Sequence, residues 1–345
     1  MDLRTIQSGG GGAAGALARA GLAALSCGYT AATAARNALY ELGWAPVHRL
    51  PVRTVSVGNL VAGGTGKTPF TAWLASRARI AGRRPGILSR GYGPRPAGAD
   101  LSDEGLVLFD LLGASVPQVE DPDRVRGGGA LLAAHPATDL VLLDDGFQHR
   151  RLGRDVDLVL LDATNPFGYG RRLPRGTLRE PPEALARAHA VVLTRAERVE
   201  PLVLEEVFRE VRRLAPKALV ATARTRPTTL VRADGATAPL LDVKGRSVLA
   251  YAGIGNPRAF RGTLEDLGCR VVADRFVPDH HALSLREADE IVRAASAAGA
   301  ERIVTTRKDL VKWRALARRP DGLVAVDVET DVTEGADALL ALVLL

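Results

Sequence analysis

The first group of residues that could do chemistry is a glycine-rich segment, Gly63-Gly-Thr-Gly-Lys-Thr68. Glycines let successive backbone N–H groups point at one anion, and a helix starting there adds partial positive charge. Lys67 would reach the β- and γ-phosphates of a nucleotide, and the Thr68 hydroxyl would hold Mg²⁺. Such loops usually carry a glycine where this chain has Val61, so Gly63 and Gly64 must make the tight turn. A plain helix-capping turn has no need of Gly-Lys-Thr, so we predict nucleotide binding. The predicted nucleotide-binding residues are Gly63, Gly64, Thr65, Gly66, Lys67 and Thr68.

A second group of candidates follows an apolar run. Residues 140–143 end in Asp144 and Asp145, where enzymes with such a loop hold a metal ion through a carboxylate. Two adjacent carboxylates repel each other unless a cation or hydrogen bonds hold them. We therefore expect Thr68, Asp144 and Asp145 to hold Mg²⁺, with no choice made between the two aspartates. His149, in the polar segment that follows, is either a ligand or base of the same cleft or a turn residue bonded to backbone.

Three further segments carry polar side chains in positions that could serve an acceptor. In residues 279–281, Asp-His-His, a carboxylate stands beside imidazoles and could orient one to take a proton. Asp103 and Glu104 follow Ser102, which by itself predicts a helix N-cap. An arginine cluster in a Gly/Pro-rich loop either binds phosphate through bidentate contacts or is a solvated charged loop. Its members are Arg171, Arg172, Arg175 and Arg179.

The elements that must position these residues are short apolar runs alternating with helical segments. Runs without polar alternation are typical of strands covered on both faces, as in a parallel α/β sheet. In the first half they are residues 52–57, 84–88, 140–143, 156–161 and 190–193, with a helix over 70–80. Residues 224–241 read as extended strands or a connector between lobes. A second series of strands is expected at 247–252, 269–273, 302–305 and 324–328, with helices at 258–267 and 285–298.

These patterns predict an α/β fold, P-loop NTPase-like, with a mainly parallel sheet flanked by helices. We expect an N-terminal helical segment over 1–48, a P-loop nucleotide-binding domain over 49–228 and a smaller α/β lobe over 229–345. Ligands of such sheets bind at the carboxyl ends of the strands. Because the Asp-His-His segment lies on the smaller lobe, we expect closure between the lobes to complete the acceptor site.

Composition limits the partners. The 345 residues carry a formal net charge of +7, which favours anionic partners such as nucleotides, phosphorylated substrates or anionic lipid surfaces. No aromatic-studded basic strand or Cys/His finger is present, so we expect no nucleic-acid partner. Two cysteines, Cys27 and Cys269, exclude a disulfide framework and fit a reducing cytoplasm.

The N-terminal segment is rich in Ala, Leu and Gly. Its uncharged stretch, residues 20–35, is shorter than the roughly 20 apolar residues that span a bilayer. It has no convincing cleavage site for a signal peptide. Two interpretations stay open: a helix packed on the protein's own core, or an amphipathic helix lying on a membrane. In the second, Leu22, Leu25, Tyr29 and Leu39 would face the membrane.

Taken together, the segments resemble the tetraacyldisaccharide 4′-kinase family of lipid A biosynthesis. The resemblance extends from the N-terminal helix to about Trp313. The matching motifs are Val57-Gly-Asn59, Gly63-Gly-Thr-Gly-Lys-Thr-Pro69, Ser89-Arg-Gly-Tyr-Gly93, Asp144-Asp-Gly-Phe-Gln-His149, Leu173-Pro-Arg-Gly-Thr-Leu-Arg-Glu-Pro181, Ala252-Gly-Ile-Gly-Asn-Pro257, Pro278-Asp-His-His281 and Val304-Thr-Thr-Arg-Lys-Asp-Leu-Val-Lys312. The family pattern has Glu where this chain has Arg307.

The resemblance implies a kinase that moves the γ-phosphate of ATP, with Mg²⁺, to the 4′-hydroxyl of an acylated glucosamine disaccharide 1-phosphate, giving lipid IVA. It implies a peripheral or monotopic enzyme on the cytoplasmic face of the bacterial inner membrane, with no obligate protein partner. It also assigns acceptor deprotonation to Asp103 and His280, beside Lys67 as the third catalytic residue. Arg179 oriented by Glu180 would contact a phosphate, and the predicted substrate-binding residues are Arg179, Glu180 and His149.

Three rival classes are weighed against this kinase. A deviant P-loop ATPase acting as a membrane-targeting switch places a signature lysine directly before the Gly-Gly pair, where this chain has Ala62. A GTPase is disfavoured because residues 194–197 only loosely resemble the guanine-reading Asn-Lys-x-Asp. A non-catalytic nucleotide sensor would keep the loop but would not need Asp103 or His280.

Overall fold

The computed structural model describes residues 6–7, 9–10, 12–91, 101–279 and 281–345. These residues form one mixed sheet of twelve strands with helices packed against it. The strands, in chain order, are β1 Arg53–Asn59, β2 Pro85–Ser89, β3 Gln118–Glu120, β4 Leu140–Asp144, β5 Val156–Asp162, β6 Ala190–Thr194, β7 Leu219–Arg232, β8 Thr237–Ala238, β9 Ser247–Ala252, β10 Arg270–Phe276, β11 Arg302–Thr306 and β12 Leu323–Glu334. Their order across the sheet is β10-β9-β11-β12-β7-β6-β5-β1-β4-β2-β3, with β8 on β7.

All pairs in the sheet are parallel except β7–β12 and β7–β8. Every residue of β4 and of β5 is buried, as expected for central strands with helices on both faces. The predicted mainly parallel α/β sheet is therefore confirmed. Within it Val57 of β1 pairs with Asp144 of β4, so the end of β1 that leads into the glycine-rich loop lies beside the two aspartates.

Among the described residues, helices pack on both sides of this sheet. They are α1 Gly12–Glu41, α2 Lys67–Ile80, α3 Asp103–Leu112, α4 Arg124–Ala134, α5 Pro201–Leu214, α6 Pro257–Asp266, α7 Leu285–Ala297, α8 Arg307–Arg314 and α9 Ala336–Leu344. The expected cap of α3 is confirmed, because the Ser102 hydroxyl accepts from the Gly105 N–H at 3.3 Å. The sequence analysis did not predict β3 or the helices α4, α5, α8 and α9.

The predicted boundary at 228–229 falls inside β7, the strand that joins the two halves of the sheet. β7 pairs in parallel with β6 and antiparallel with β12, so the sheet continues across the boundary. Hydrophobic clusters nevertheless differ on the two sides: one is built around Phe70 and β1, another around Phe260 and β9. The division into two domains stays a prediction.

Helix α1 lies along the loop that carries Arg172 and Arg179. Ser26 donates to the Arg172 carbonyl at 3.1 Å, and the Tyr29 hydroxyl donates to the Arg179 carbonyl at 3.0 Å. Tyr29 therefore faces the protein and not a membrane, which corrects the prediction for this residue, because its hydroxyl finds a backbone acceptor there. No helix in the described ranges is both long enough and apolar enough to cross a bilayer.

Candidate active site

The glycine-rich loop is held by the last residues of β1 and β6. Gly63 and Gly66 have φ of +138° and +86°, the left-handed region that favours glycine. The Asn59 side-chain amide donates to the Thr65 hydroxyl at 3.0 Å, and the Thr194 hydroxyl donates to the Thr65 carbonyl at 3.1 Å. Helix α2 begins at Lys67, directly after Gly66. The N-terminus of α2 therefore opens at the end of the loop, an arrangement typical of anion sites, and phosphate binding by these residues stays a prediction.

Asp145 joins this loop to Arg179. Its carboxylate lies 3.7 Å from Lys67 Nζ and accepts two hydrogen bonds from Arg179 Nη1, at 2.8 and 2.7 Å. Burial alone would raise the pKa of Asp145, but the charges of Lys67 and Arg179 outweigh it and lower the pKa to about 2. Asp145 is therefore a permanent anion that places two cations next to the loop.

Asp144, one residue earlier, has a different environment. Its side chain is buried and accepts one hydrogen bond, from the Thr71 hydroxyl at 2.9 Å. Burial, and then the charge of Glu104, raise the pKa of Asp144 to about 7. The two adjacent carboxylates thus have opposite shifts, and Asp144 is the one that a cation would stabilise most.

A cleft of about 250 Å³ separates the glycine-rich loop from the second half of the sheet. The residues of α2 that face it include Lys67 and Thr68. Across the cleft, Gly255 touches the loop so closely that an added Cβ would collide with the backbone nitrogen of Gly64. Outside the glycine-rich loop, the residues that line the cleft include Glu104, Arg195, Arg198, Asn256, Phe260, Asp279, Arg307, Lys308 and Asp327. The structure thus brings the Gly-Ile-Gly-Asn segment and the phosphate loop to one cleft.

Asp103 lies in the first turn of α3, directly before the cleft-lining Glu104, and is 1% exposed. Lys312 Nζ is 3.8 Å and Lys308 Nζ is 4.0 Å from its Oδ2. Lys308 also lies 2.8 Å from Asp279, the residue before His280. His280 itself lies outside the described residues.

His281, the other candidate in the Asp-His-His segment, has a partner of its own. Its Nε2 is 2.8 Å from the Glu287 carboxylate. That pairing directs the His281 imidazole to the start of α7.

The carboxylate of Glu180 does not contact the Arg179 side chain that it was expected to orient. Its fully buried carboxylate accepts from Arg36 of α1 at 3.1 Å and pairs with Arg187, whereas Arg179 bonds Asp145. The two consecutive side chains point to opposite sides of their loop, Arg179 toward the phosphate loop and Glu180 toward α1. The expected orientation of Arg179 by Glu180 is therefore wrong, and Asp145 performs it.

The surroundings of His149 agree in part with both interpretations, a turn residue bonded to backbone and a ligand or base of the cleft. Its backbone N–H donates to the Gly146 carbonyl at 2.9 Å, as in a turn. Its Nε2 is buried and has no hydrogen-bond partner among the residues that the structure describes. Burial, and then the charge of Arg124, lower the pKa of His149 to about 4. At neutral pH the imidazole is uncharged, so His149 can accept or donate a hydrogen bond there without adding charge.

Three basic residues near the site were missed by sequence reasoning. Lys308 and Lys312 stand in the quoted Arg-Lys-Asp segment, but basic residues are common in this arginine-rich chain. Arg124, at the start of α4, is buried, and in the described ranges its Nε has no hydrogen-bond partner. Only the folded structure separates these buried or partly buried cations from the solvated ones.

The Glu180 network yields a stability prediction. Glu180→Ala should lower the free energy of unfolding by about 2–3 kcal/mol, because Arg187, stacked 4.6 Å from the Phe147 ring centre, loses its counter-charge. Urea unfolding at equilibrium measures this. The exposed neighbour Glu183 is the matched control, and Glu183→Ala should leave the midpoint unchanged. Equal midpoints for both variants would show that the network does not stabilise the fold.

Comparison with known proteins adds an independent result. Residues 18–344 match the family model for tetraacyldisaccharide-1-P 4′-kinase. The tetraacyldisaccharide 4′-kinase of Anaeromyxobacter dehalogenans (strain 2CP-C) is 41% identical, over 96% of this chain and 91% of its own length. That of Syntrophobacter fumaroxidans is also 41% identical, over 83% of this chain and 77% of its own.

A solved structure is similar as well. It is LpxK from Aquifex aeolicus, crystallised in complex with ATP, with a TM-score of 0.71 and 30% identity, covering 94% of this chain and 98% of that one.

Proposed function

The chain belongs to the tetraacyldisaccharide-1-P 4′-kinase family, and from this we propose that it phosphorylates the 4′-hydroxyl of a tetraacylated glucosamine disaccharide 1-phosphate, giving lipid IVA. The donor is ATP. The observation that carries the proposal is the arrangement of the site. The cleft is lined by Lys67 of the phosphate loop, which lies 3.7 Å from Asp145, and by Glu104, whose neighbour Asp103 is a buried carboxylate.

In this mechanism the chain first binds and neutralises the triphosphate. The loop N–H groups and Lys67 contact its phosphates, and Arg179, fixed by Asp145 at 2.7 Å, adds a second cation. Arg124, buried near the aspartates, is a further candidate for a phosphate of donor or acceptor. As the bond from the γ-phosphorus to the leaving oxygen breaks, charge spreads over the phosphoryl oxygens. Preorganised cations stabilise that charge without reorganising.

The acceptor must lose a proton as its 4′-oxygen bonds the γ-phosphorus. We assign acceptance of that proton to Asp103 together with His280, and hydrogen bonding of the sugar to His149. The buried Asp103 carboxylate is shielded from bulk water, which keeps it available for a sugar hydroxyl.

The donor set fits Mg²⁺. Magnesium prefers oxygen ligands and is usually held by one or two carboxylates and the substrate phosphates, and Thr68, Asp144 and Asp145 offer oxygens only. Asp145 already pairs with two cations, so Asp144, with its pKa raised to about 7, is the better ligand. Bound Mg²⁺ would neutralise the phosphate oxygens.

The metal assignment makes a testable prediction. Chelation of divalent cations should abolish transfer, and Asp144→Asn should raise the Mg²⁺ concentration for half-maximal rate by about tenfold or more, because a ligand charge is lost. Titration of activity with MgCl₂ measures this. Asp139→Asn, at the opposite end of β4, is the control. If Asp144→Asn kept the wild-type Mg²⁺ requirement, Asp144 would not be the ligand.

We also propose that α1 binds the cytoplasmic surface of the inner membrane. Leu25 and Leu39 are 65% and 44% exposed, as predicted for a membrane face, whereas Leu22 is half-buried. Leu17, Leu25 and Leu39 lie within about 80° of one another around the helix.

Leu42 and Trp44, just beyond α1, are 60% and 75% exposed. This apolar strip stands beside the loop that carries Arg179, so the acceptor's sugar could reach the cleft while its acyl chains stay in lipid.

The membrane proposal predicts a loss of vesicle binding. Leu25→Glu/Leu39→Glu should weaken co-sedimentation with anionic phospholipid vesicles by at least about tenfold, because two large apolar side chains no longer enter the lipid. Ala34→Glu is the control, since exposed Ala34 lies about 140–180° away around the helix. Equal binding by both variants would refute this orientation of α1.

The overall proposal is tested by measuring ATP consumption with and without a tetraacyl disaccharide 1-phosphate in detergent. A kinase consumes ATP only when the lipid is present, in a one-to-one ratio with phosphorylated product. A switch ATPase would hydrolyse ATP whether or not the lipid is present. A non-catalytic nucleotide sensor would consume no ATP and phosphorylate no lipid.

A further inference from the structure

Lys308 connects the two halves of the protein through charge. It lies on α8, beside β11 and β12, and its Nζ is 2.8 Å from Asp279 and 3.2 Å from Glu104. Glu104 belongs to α3, on the other side of the cleft. Asp103 Oδ2 lies 4.0 Å from the same ammonium. One lysine therefore faces three carboxylates from two lobes.

The ammonium is permanently charged. Lys308 is 16% exposed, and burial alone would lower its pKa, but the charges of Glu104, Asp279 and Asp103 outweigh burial and raise it. Carboxylates this close repel one another unless a cation stands between them. Lys308 thus stands between Glu104 and Asp279, and its removal would weaken the link between the first turn of α3 and the loop at Asp279, while Asp103 would keep Lys312 at 3.8 Å.

Lys312, one turn later on α8, is placed differently. Its Nζ donates to Asp309 of its own helix at 2.9 Å, and Asp309 in turn accepts from the Gly253 N–H at 2.9 Å. Lys312 is thus anchored within its lobe and reaches Asp103 at 3.8 Å. Lys308, by contrast, makes its short contacts across the cleft and to the loop at Asp279.

We propose that Lys308 is a positioning residue, which holds Asp103 in place across the lobe interface so that the acceptor's hydroxyl meets an aligned base only when the lobes are closed. The inference rests on the proposed function of Asp103. It assigns to Lys308 no contact with substrate. Its effect should therefore appear in turnover and not in ATP affinity.

A matched control lies on the same two helices. Arg314 of α8 pairs with Asp110 of α3 at 2.6 Å, so Arg314→Met also removes an ion pair between α8 and α3 but leaves the surroundings of Asp103 intact. Lys308→Met should lower kcat about 100-fold, the order expected for a misplaced reacting group, with the KM for ATP changed less than about threefold. Arg314→Met should keep kcat within about threefold, as for a pair near the surface.

A second measurement removes ambiguity if Lys308→Met folds poorly. In a Cys27→Ser background, Lys308→Cys should be as slow as Lys308→Met. Alkylation with 2-bromoethylamine, which rebuilds an ammonium of similar reach, should restore kcat to within about tenfold of wild type. Mass spectrometry confirms single modification.

Equal kcat losses in Lys308→Met and Arg314→Met, or a loss confined to the KM for ATP, would overturn the proposal. So would aminoethylation that restores no activity. Failure of the proposed function itself would be recognised separately, because the wild-type protein and Arg314→Met would then also show no lipid-dependent transfer.

Discussion

Lys67→Ala lowers kcat/KM for lipid-dependent phosphoryl transfer by about 10³-fold, since it removes a preorganised cation from the position where phosphoryl charge develops. Lys67 Nζ is also one of the two cations beside Asp145, at 3.7 Å. Its loss leaves Asp145 with Arg179, at 2.7 Å, as its ion-pair partner in the described part of the chain. Steady-state kinetics with varied ATP measures the effect.

Arg77→Ala provides the control for this variant. Arg77 lies in the last turn of the same helix, is exposed, and stacks over Trp73 at 6.0 Å. Removing it changes the charge of α2 without touching the cleft, so transfer should stay at the wild-type rate. A Lys67→Ala protein whose kcat/KM stays within tenfold of Arg77→Ala would contradict the phosphate-loop mechanism.

Asp103→Asn should lower kcat by about 10³-fold while leaving ATP binding intact, because the amide keeps the shape of the side chain but accepts no proton. The amide oxygen can still accept from the Glu104 N–H, as Asp103 Oδ1 does at 2.9 Å, so α3 should keep its first turn. Calorimetric titration with ATP and a single-turnover transfer assay separate binding from chemistry.

Asp110→Asn, two turns along the same helix, is the matched control, since Asp110 pairs only near the surface with Arg314. It should transfer phosphate normally. The same comparison separates the kinase from a switch ATPase, whose hydrolysis would not depend on Asp103. Normal turnover by Asp103→Asn would refute its assignment as the base.

The parts of the site that the sequence predicts well are local in the chain. The glycine-rich loop and the two aspartates at the carboxyl end of β4 are defined by short strand-to-turn patterns, and parallel pairing places Val57 opposite Asp144. The β-strands of the second lobe were predicted for the same reason, because continuous apolar runs are typical of buried parallel strands.

The parts that were missed depend on pairs far apart in sequence. Glu104 and Lys308 are separated by 204 positions, and no periodicity indicates that they meet. Glu180 was predicted to orient its neighbour, but its partner Arg36 lies 144 positions away on α1. Such ion pairs follow from how the lobes and α1 pack, which a single sequence does not reveal.

The proposed kinase activity is tested most directly by the fate of the γ-phosphate of ATP. Purified protein, [γ-³²P]ATP, Mg²⁺ and a tetraacyl disaccharide 1-phosphate in detergent are incubated, and the lipid and aqueous phases are then separated. We predict label in the lipid, attached to the 4′-oxygen, with none appearing when Lys67→Ala replaces the wild type. Label found only as free phosphate, in an amount independent of the lipid, would contradict the proposed kinase.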